Sequence, residues 1–254
     1  MKTTEQKAKR IFGERASWYT TSAAHTDPQV LARVVELAAP QRDWLVLDVA
    51  TGTGHTAFAL AGHVSAVIGI DLTAEMLEES KQLGAARSIS NIALGLADVH
   101  DLPFPAETFH LITCRRAAHH FSRIGQALCE MRRVLRAEGH LVIDDRSVPE
   151  DDFVDVCMNR LDRYHDESHV REYRPSQWQQ LLEEHGFAVE AIEGYVKHRP
   201  LTAFTEDVSP ENVRMIRELL GGLTPEQRTA LNLRDVDGQP YLNHWYVMIS
   251  GTKS

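Results

Sequence analysis

The chain has 254 residues, which suits one large domain or a domain carrying a cap, and its 43% hydrophobic and 25% charged residues are an ordinary globular composition. Against 36 Asp and Glu stand 27 Lys and Arg, a formal charge of −9. That balance argues against nucleic acid as a partner, because nonspecific binding needs a basic face.

Residues 1–25 carry scattered apolar positions (Ile11, Phe12, Trp18, Tyr19) and read as a short helix followed by a loop. Asp27-Pro28 opens a helix to about Ala39. Asp27 takes the N-cap, Pro28 the first turn, and Val30, Leu31, Val34, Val35 and Leu37 recur at helical spacing. Trp44 to Val49 is a short apolar run ending near glycines, the pattern of a strand buried on both faces. A helix is predicted over 55–62, a strand over 64–70 ending at Asp71, and then a helix capped by Thr73. A strand over 92–97 ends at Asp98, and another covers 109–114. A helix over 124–136 and a strand over 139–144 follow. Five β-α alternations in about 100 residues predict an open, doubly wound α/β sheet. Right-handed crossovers bring the C-terminal ends of such strands to one edge, where ligands bind.

Beyond Arg146 the alternation breaks. Helices are predicted over 149–164 and 176–186, a strand over 187–196, helical structure over 209–232 interrupted at Gly221-Gly222, and a last strand over 241–250. All of 1–254 reads as one domain. Residues 1–26 are expected to form an N-terminal lid segment, and 147–175 and 198–240 to cover the binding edge.

The first strand-loop-helix unit holds Asp48-Val49-Ala50-Thr51-Gly52-Thr53-Gly54. Its glycines allow unusual dihedrals and close approach of a ligand to the backbone. The following helix N-terminus favours an anionic group, such as an amino-acid carboxylate or a pyrophosphate. Asp71 is placed to accept two ribose hydroxyl protons, and Asp98 to accept the exocyclic amine of an adenine. Leu72, Met76 and Val99 can flank the ring. Gly52-x-Gly54-x-x-Ala57 also fits the dinucleotide pattern, with Asp71 near the expected distance, so an NAD(P)-dependent oxidoreductase stays open on the loop alone.

Val46-Leu47-Asp48-Val49-Ala50-Thr51-Gly52-Thr53-Gly54 resembles motif I of the class I S-adenosylmethionine-dependent methyltransferases. Asp71 in Gly69-Ile70-Asp71-Leu72-Thr73 matches their ribose-binding acid. Ala97-Asp98-Val99-His100-Asp101-Leu102-Pro103-Phe104 resembles their adenine-binding segment, and Arg133 to Leu141 the approach to strand five. The resemblance covers roughly residues 10–146 and the closing strand pair, and is nearest to the ubiquinone and menaquinone biosynthesis branch acting on small molecules. It implies a Rossmann-like, seven-stranded, mostly parallel sheet with a C-terminal antiparallel strand. It also implies S-adenosylmethionine as cofactor and a small-molecule methyl acceptor. The family's first loop glycine is Ala50 here, which is expected to be tolerated if its φ is negative. The implied cofactor-binding set is Tyr19, Asp48, Ala50, Thr51, Gly52, Gly54, His55, Asp71, Leu72, Met76, Ala97, Asp98, Val99, Cys114 and Arg115. A protein that binds the cofactor without transferring its methyl group is a third reading.

His119 and His120 follow the fourth strand, where a methyl acceptor would sit, and are the candidate general bases. With Arg116 and Asp145 they form the expected substrate set. Of Arg115 and Arg116, one is expected to be a plain surface charge. The polar run Asp166-Glu167-Ser168-His169-Val170-Arg171 reads as a solvated loop on the lid. No metal is expected. The three cysteines, Cys114, Cys129 and Cys157, are odd in number and never at C-x-x-C spacing, which argues against a disulfide framework. Met1 to Arg10 lacks an apolar leader and no run of about 18 apolar residues occurs, so a soluble, cytoplasmic protein without a membrane partner is expected. Oligomeric state, a homodimer included, is not legible.

Overall fold

The computed structural model describes residues 3–254. The N-terminal segment folds as three short helices, α1 (Thr4–Glu14), α2 (Ala16–Tyr19) and α3 (Ala23–Thr26), where the sequence suggested a helix and a loop. The chain then alternates: α4 (Pro28–Ala38), β1 (Leu45–Val49), α5 (His55–Ala61), β2 (Ala66–Asp71), α6 (Ala74–Ala86), β3 (Ile92–Leu96), β4 (Phe109–Arg115), α7 (Ile124–Val134) and β5 (Leu135–Ser147). After it come α8 (Asp152–His165), α9 (Pro175–Glu184), β6 (Phe187–Pro200), α10 (Thr202–Thr205), α11 (Pro210–Gly221), α12 (Pro225–Ala230), β7 (Arg234–Val236) and β8 (Gln239–Lys253).

Local chemistry explains several boundaries. Asp27 caps α4 by accepting the amides of Gln29 and Val30. Pro175, Pro210 and Pro225 each open a helix, where a missing N–H costs nothing. Thr73 stands at the N-cap of α6 but its side chain makes no capping bond; its own amide donates to Asp71 instead.

One sheet has the order β3-β2-β1-β4-β5-β8-β6, with β7 paired to β8. It has eight strands rather than seven, because Gly238 allows a tight β7-β8 turn at φ +79°. Strands β3, β2, β1, β4 and β5 run parallel, whereas β8 lies antiparallel between β5 and β6. The order reverses between β1 and β4, the switch point at which doubly wound sheets bind ligands.

Apolar residues cover both faces. Leu47, Phe109, Ile112, Leu128, Met131 and Trp178 pack on one side; Val34, Val46, Leu60, Val67 and Leu111 pack on the other. A third cluster joins the two insertions through Met158, Leu161, Phe204, Ile216, Leu220 and Leu231. These segments therefore pack on each other as one cap with its own core. Among the described residues no helix is long and apolar enough to cross a membrane.

Candidate active site

Strand register builds the loop after β1. Asp48 sits opposite Thr113 of β4. Its carboxylate accepts the Thr113 hydroxyl at 2.7 Å and the Thr51 hydroxyl at 2.6 Å. Burial pushes this carboxyl above its ordinary range, and those two bonds hold it back. Asp48 thus orders the loop from beneath.

Three loop residues have positive φ: Ala50 at +52°, Gly52 at +54° and Gly54 at +89°. The condition set for tolerating Ala50, a negative φ, is not met. A left-handed alanine costs of order 1 kcal/mol, which is why glycine suits this place. A Cβ built on Gly52 meets nothing within 4 Å, so the position faces open space in the cleft. One built on Gly54 would lie 2.3 Å from the Ser80 hydroxyl and 2.7 Å from the Phe58 ring. Gly54 is needed for packing of α5 on α6 and does not line the cleft.

The cleft above this loop, about 1050 Å³ with its open mouth, collects most of the expected cofactor set: Tyr19, Asp48, Ala50, Thr51, Gly52, His55, Asp71, Leu72, Met76, Ala97, Asp98, Val99 and Arg115. Asp71 accepts the Gly52 amide at 2.9 Å through Oδ2 and the Thr73 amide at 2.9 Å through Oδ1. It is buried, which raises its pKa against the pull of those amides, and each oxygen keeps a further lone pair for a ligand. Asp98 accepts both the backbone amide and Nδ1 of His100, at 2.9 and 2.6 Å. His55 approaches the Tyr19 carbonyl at 3.2 Å, tying α5 to the N-terminal segment.

Neither Arg115 nor Arg116 is a surface charge; both side chains are buried. Arg115 donates to the Thr56 hydroxyl and the His25 carbonyl, at 2.9 and 2.7 Å. Its Nη1 is buried in the cleft wall with no hydrogen-bond partner and with Asp144 at 4.0 Å. An orphaned guanidinium nitrogen, a bare glycine facing open space and a carboxylate at the next strand tip fit the carboxylate and ribose of S-adenosylmethionine. Cys114 does not contribute. It is in the core, absent from the cleft wall, with a thiol pushed far up by burial.

A second cavity opens beside the first, and both share Phe12, Tyr19, His25, Arg116 and His120 as a common wall. Its other wall comes from the cap, β5, β6 and β8, through Arg146, Asp162, His165, Asp166, His169, Arg199 and Tyr246. His119 lines this second cavity alone. Its Nδ1 lies 2.5 Å from Asp145 Oδ1, and Asp145 also accepts the His119 amide at 2.8 Å. Asp145 is fully buried behind His119 and touches neither cavity, contrary to its expected place in the substrate set. Burial lifts Asp145 to about 6 and presses His119 well below the ordinary histidine range.

His120 is held differently. Ser168 donates to Asp166 at 2.6 Å, so its oxygen is left to accept from His120 Nδ1 at 3.1 Å. Nδ1 therefore carries the hydrogen, and Nε2 keeps its lone pair. Burial alone would raise Asp166, but the nearby His120 and the bonds from Ser168 outweigh it and leave Asp166 low. The 166–171 run is thus no solvated loop: Ser168 is fully buried and His169 is 8% exposed. Arg116 lines both cavities, yet its guanidinium is committed to Asp144 at 3.1 Å and the Tyr195 hydroxyl at 2.9 Å, over the Tyr246 ring. It is a wall, not a free substrate ligand.

Sequence reasoning missed His25, Arg146, Arg199 and Tyr246, and did not single out His100 although it lies in the adenine-binding segment beside Asp98. No local motif marks the first four, which meet only because the ends of β5, β6 and β8 and the N-terminal helices come together at the edge. Among the described residues no group of His, Cys, Asp and Glu could hold a metal ion.

The family model for a methyltransferase domain matches residues 47–143, which contain the loop, both acids and the His119-His120 pair. An uncharacterised methyltransferase of Bacillus subtilis, YcgJ, is 35% identical over 72% of this chain and 72% of its own length. A demethylmenaquinone methyltransferase of Deinococcus radiodurans is 38% identical over 39% of the chain and 41% of its own. The crystal structure of the YcgJ protein superposes with a TM-score of 0.82 at 31% identity, covering 88% of this chain and 97% of that one. That of a putative methyltransferase from Bacillus halodurans gives 0.84 at 30% identity, covering 88% and 98%. These matches support methyl transfer and lend no support to an NAD(P)-dependent oxidoreductase or to a binding protein without activity. The chain belongs to the class I S-adenosylmethionine-dependent methyltransferases.

Proposed function

We propose that this methyltransferase acts on a small molecule that occupies the second cavity and presents a proton-bearing nucleophile beside His120. One observation carries the reading: His120 lines both cavities, with its tautomer fixed by Ser168. S-adenosylmethionine, when bound, supplies a methyl group already activated by its sulfonium, for an in-line displacement.

The chain's own residues do the rest. Asp71 holds the ribose hydroxyls, Asp98 the adenine amine, and Leu72, Met76 and Val99 the faces of the base. Arg115 Nη1 meets the amino-acid carboxylate. The N-terminal helices and the cap keep water from the shared wall and open to release products. His120 Nε2 takes the acceptor's proton. His119, with its ring centroid 4.0 Å away, stays neutral, because burial and the neighbouring His120 disfavour a second charge. Through Ser168, Asp166 stabilises the imidazolium formed.

The test is formation of S-adenosylhomocysteine across a small-metabolite panel. With an accepted substrate, His120→Gln should lower kcat by about 10²–10⁴-fold while the affinity for S-adenosylhomocysteine stays unchanged. Full turnover by that variant refutes the role.

A further inference from the structure

The second cavity holds four arginines, and they are not equivalent. Arg15 donates to the Asp207 carbonyl at 2.8 Å. Arg116 is paired with Asp144. Arg146 is held between Asp162 at 2.8 Å and Glu172 at 2.7 Å. Arg199, on β6, makes no ion pair among the described residues. It is partly buried and lines the cavity beside Tyr246 of β8.

Tyr246 reports the local field. Its ring packs on Tyr195 at 5.0 Å, and the guanidiniums of Arg116 and Arg146 lie 3.9 and 5.7 Å from its centroid. Burial alone would raise its pKa. The charges of Arg146, Arg116 and Arg199 overcome that and leave it below the ordinary tyrosine value. A potential that favours a phenolate there favours any anion. Of the acids that also line the cavity, Asp162 is paired with Arg146, Asp166 accepts from Ser168, and Glu206 and Asp207 are exposed, so none of them is paired with Arg199.

We infer that Arg199, with the Tyr246 hydroxyl beside it, is an anion anchor, and that the methyl acceptor carries a carboxylate or phosphate group directed at it. A partly buried guanidinium without an ion-pair partner gains a charge-assisted, bidentate partner when such a ligand enters. The anion then fixes the acceptor at one end while its nucleophile faces His120 at the other. This rests on the second cavity being the acceptor site.

Calorimetry on the full chain saturated with S-adenosylhomocysteine tests it, using benzoate, phenyl phosphate and uncharged benzamide as probes. One or both anions should bind at least tenfold tighter than benzamide. Arg199→Gln should abolish the preference, and Arg199→Lys should keep part of it. The tighter of the two anions identifies carboxylate or phosphate as the preferred group. Equal affinity for all three, no binding of either anion, or a preference that survives Arg199→Gln overturns the anchor. S-adenosylhomocysteine should bind Arg199→Gln as it binds the wild type; a wild type that fails to bind it would instead count against the role of the first cleft.

Discussion

Replacing Asp71 by Asn removes one charge and almost no volume. In the free protein the two carboxylate oxygens order the glycine loop and the start of α6 through the Gly52 and Thr73 amides, both at 2.9 Å. An amide nitrogen in place of one oxygen would face an N–H donor, so the loop loses one of these bonds. The ribose hydroxyls lose a charged acceptor as well. A hydrogen bond to a charged group is worth about 1.5–3 kcal/mol, so affinity for S-adenosylhomocysteine should fall by roughly 10–150-fold. Calorimetry measures this directly. A 2′,3′-dideoxy analogue separates the two causes: it should bind the wild type weakly, and Asp71→Asn should weaken it much less than it weakens the natural ligand. Unchanged affinity in a folded Asp71→Asn protein would refute the ribose assignment. An equal loss for both ligands would leave Asp71 only as a loop-ordering residue.

Ala50→Gly should raise stability by about 1 kcal/mol, because a positive φ suits glycine, and thermal unfolding should shift up by roughly 2–4 °C; a lower midpoint contradicts the strain. Gly54→Ala should destabilise by about 2–4 kcal/mol in denaturant unfolding, since its Cβ meets Ser80 and Phe58 at a positive φ, and a neutral result would show the helices give way easily. Burial presses His169 to about 3, so the unfolded chain binds a proton that the fold refuses. Stability should rise with pH between about 3 and 6.5 and level off above. His169→Asn should flatten that slope by up to about 1.4 kcal/mol per pH unit, and an unchanged slope from pH 5 to 6.5 would count against it. Ser168→Ala should lower kcat about tenfold with KM and cofactor affinity unchanged, as loss of one tautomer-fixing bond requires; equal turnover would free His120 from Ser168.

The sequence by itself determined the sheet and the floor of the cofactor cleft. Alternating apolar runs, Asp27-Pro28, and acids at the tips of β2 and β3 are local signals. Each acts within a few residues, so spacing is enough to place Asp48, Gly52, Asp71 and Asp98 on one edge. The backbone sign at Ala50 escaped, because a left-handed alanine looks like any other in sequence. Cys114 was misplaced because one residue in a strand decides between core and cleft.

Only the tertiary structure decided the second cavity. His120 meets Ser168 across 48 residues, and His119 meets Asp145 across 26. Arg116, Arg146, Arg199 and Tyr246 converge from β5, β6, β8 and the turn after β4. A charged run such as 166–171 looks solvated, yet Ser168 and His169 within it are buried, because burial is a property of what packs above a segment rather than of its composition. The cofactor cleft is written in short-range patterns because the parallel sheet imposes them, whereas the second cavity is assembled from the N-terminal helices, the cap and the ends of β5, β6 and β8, whose contacts no local period encodes.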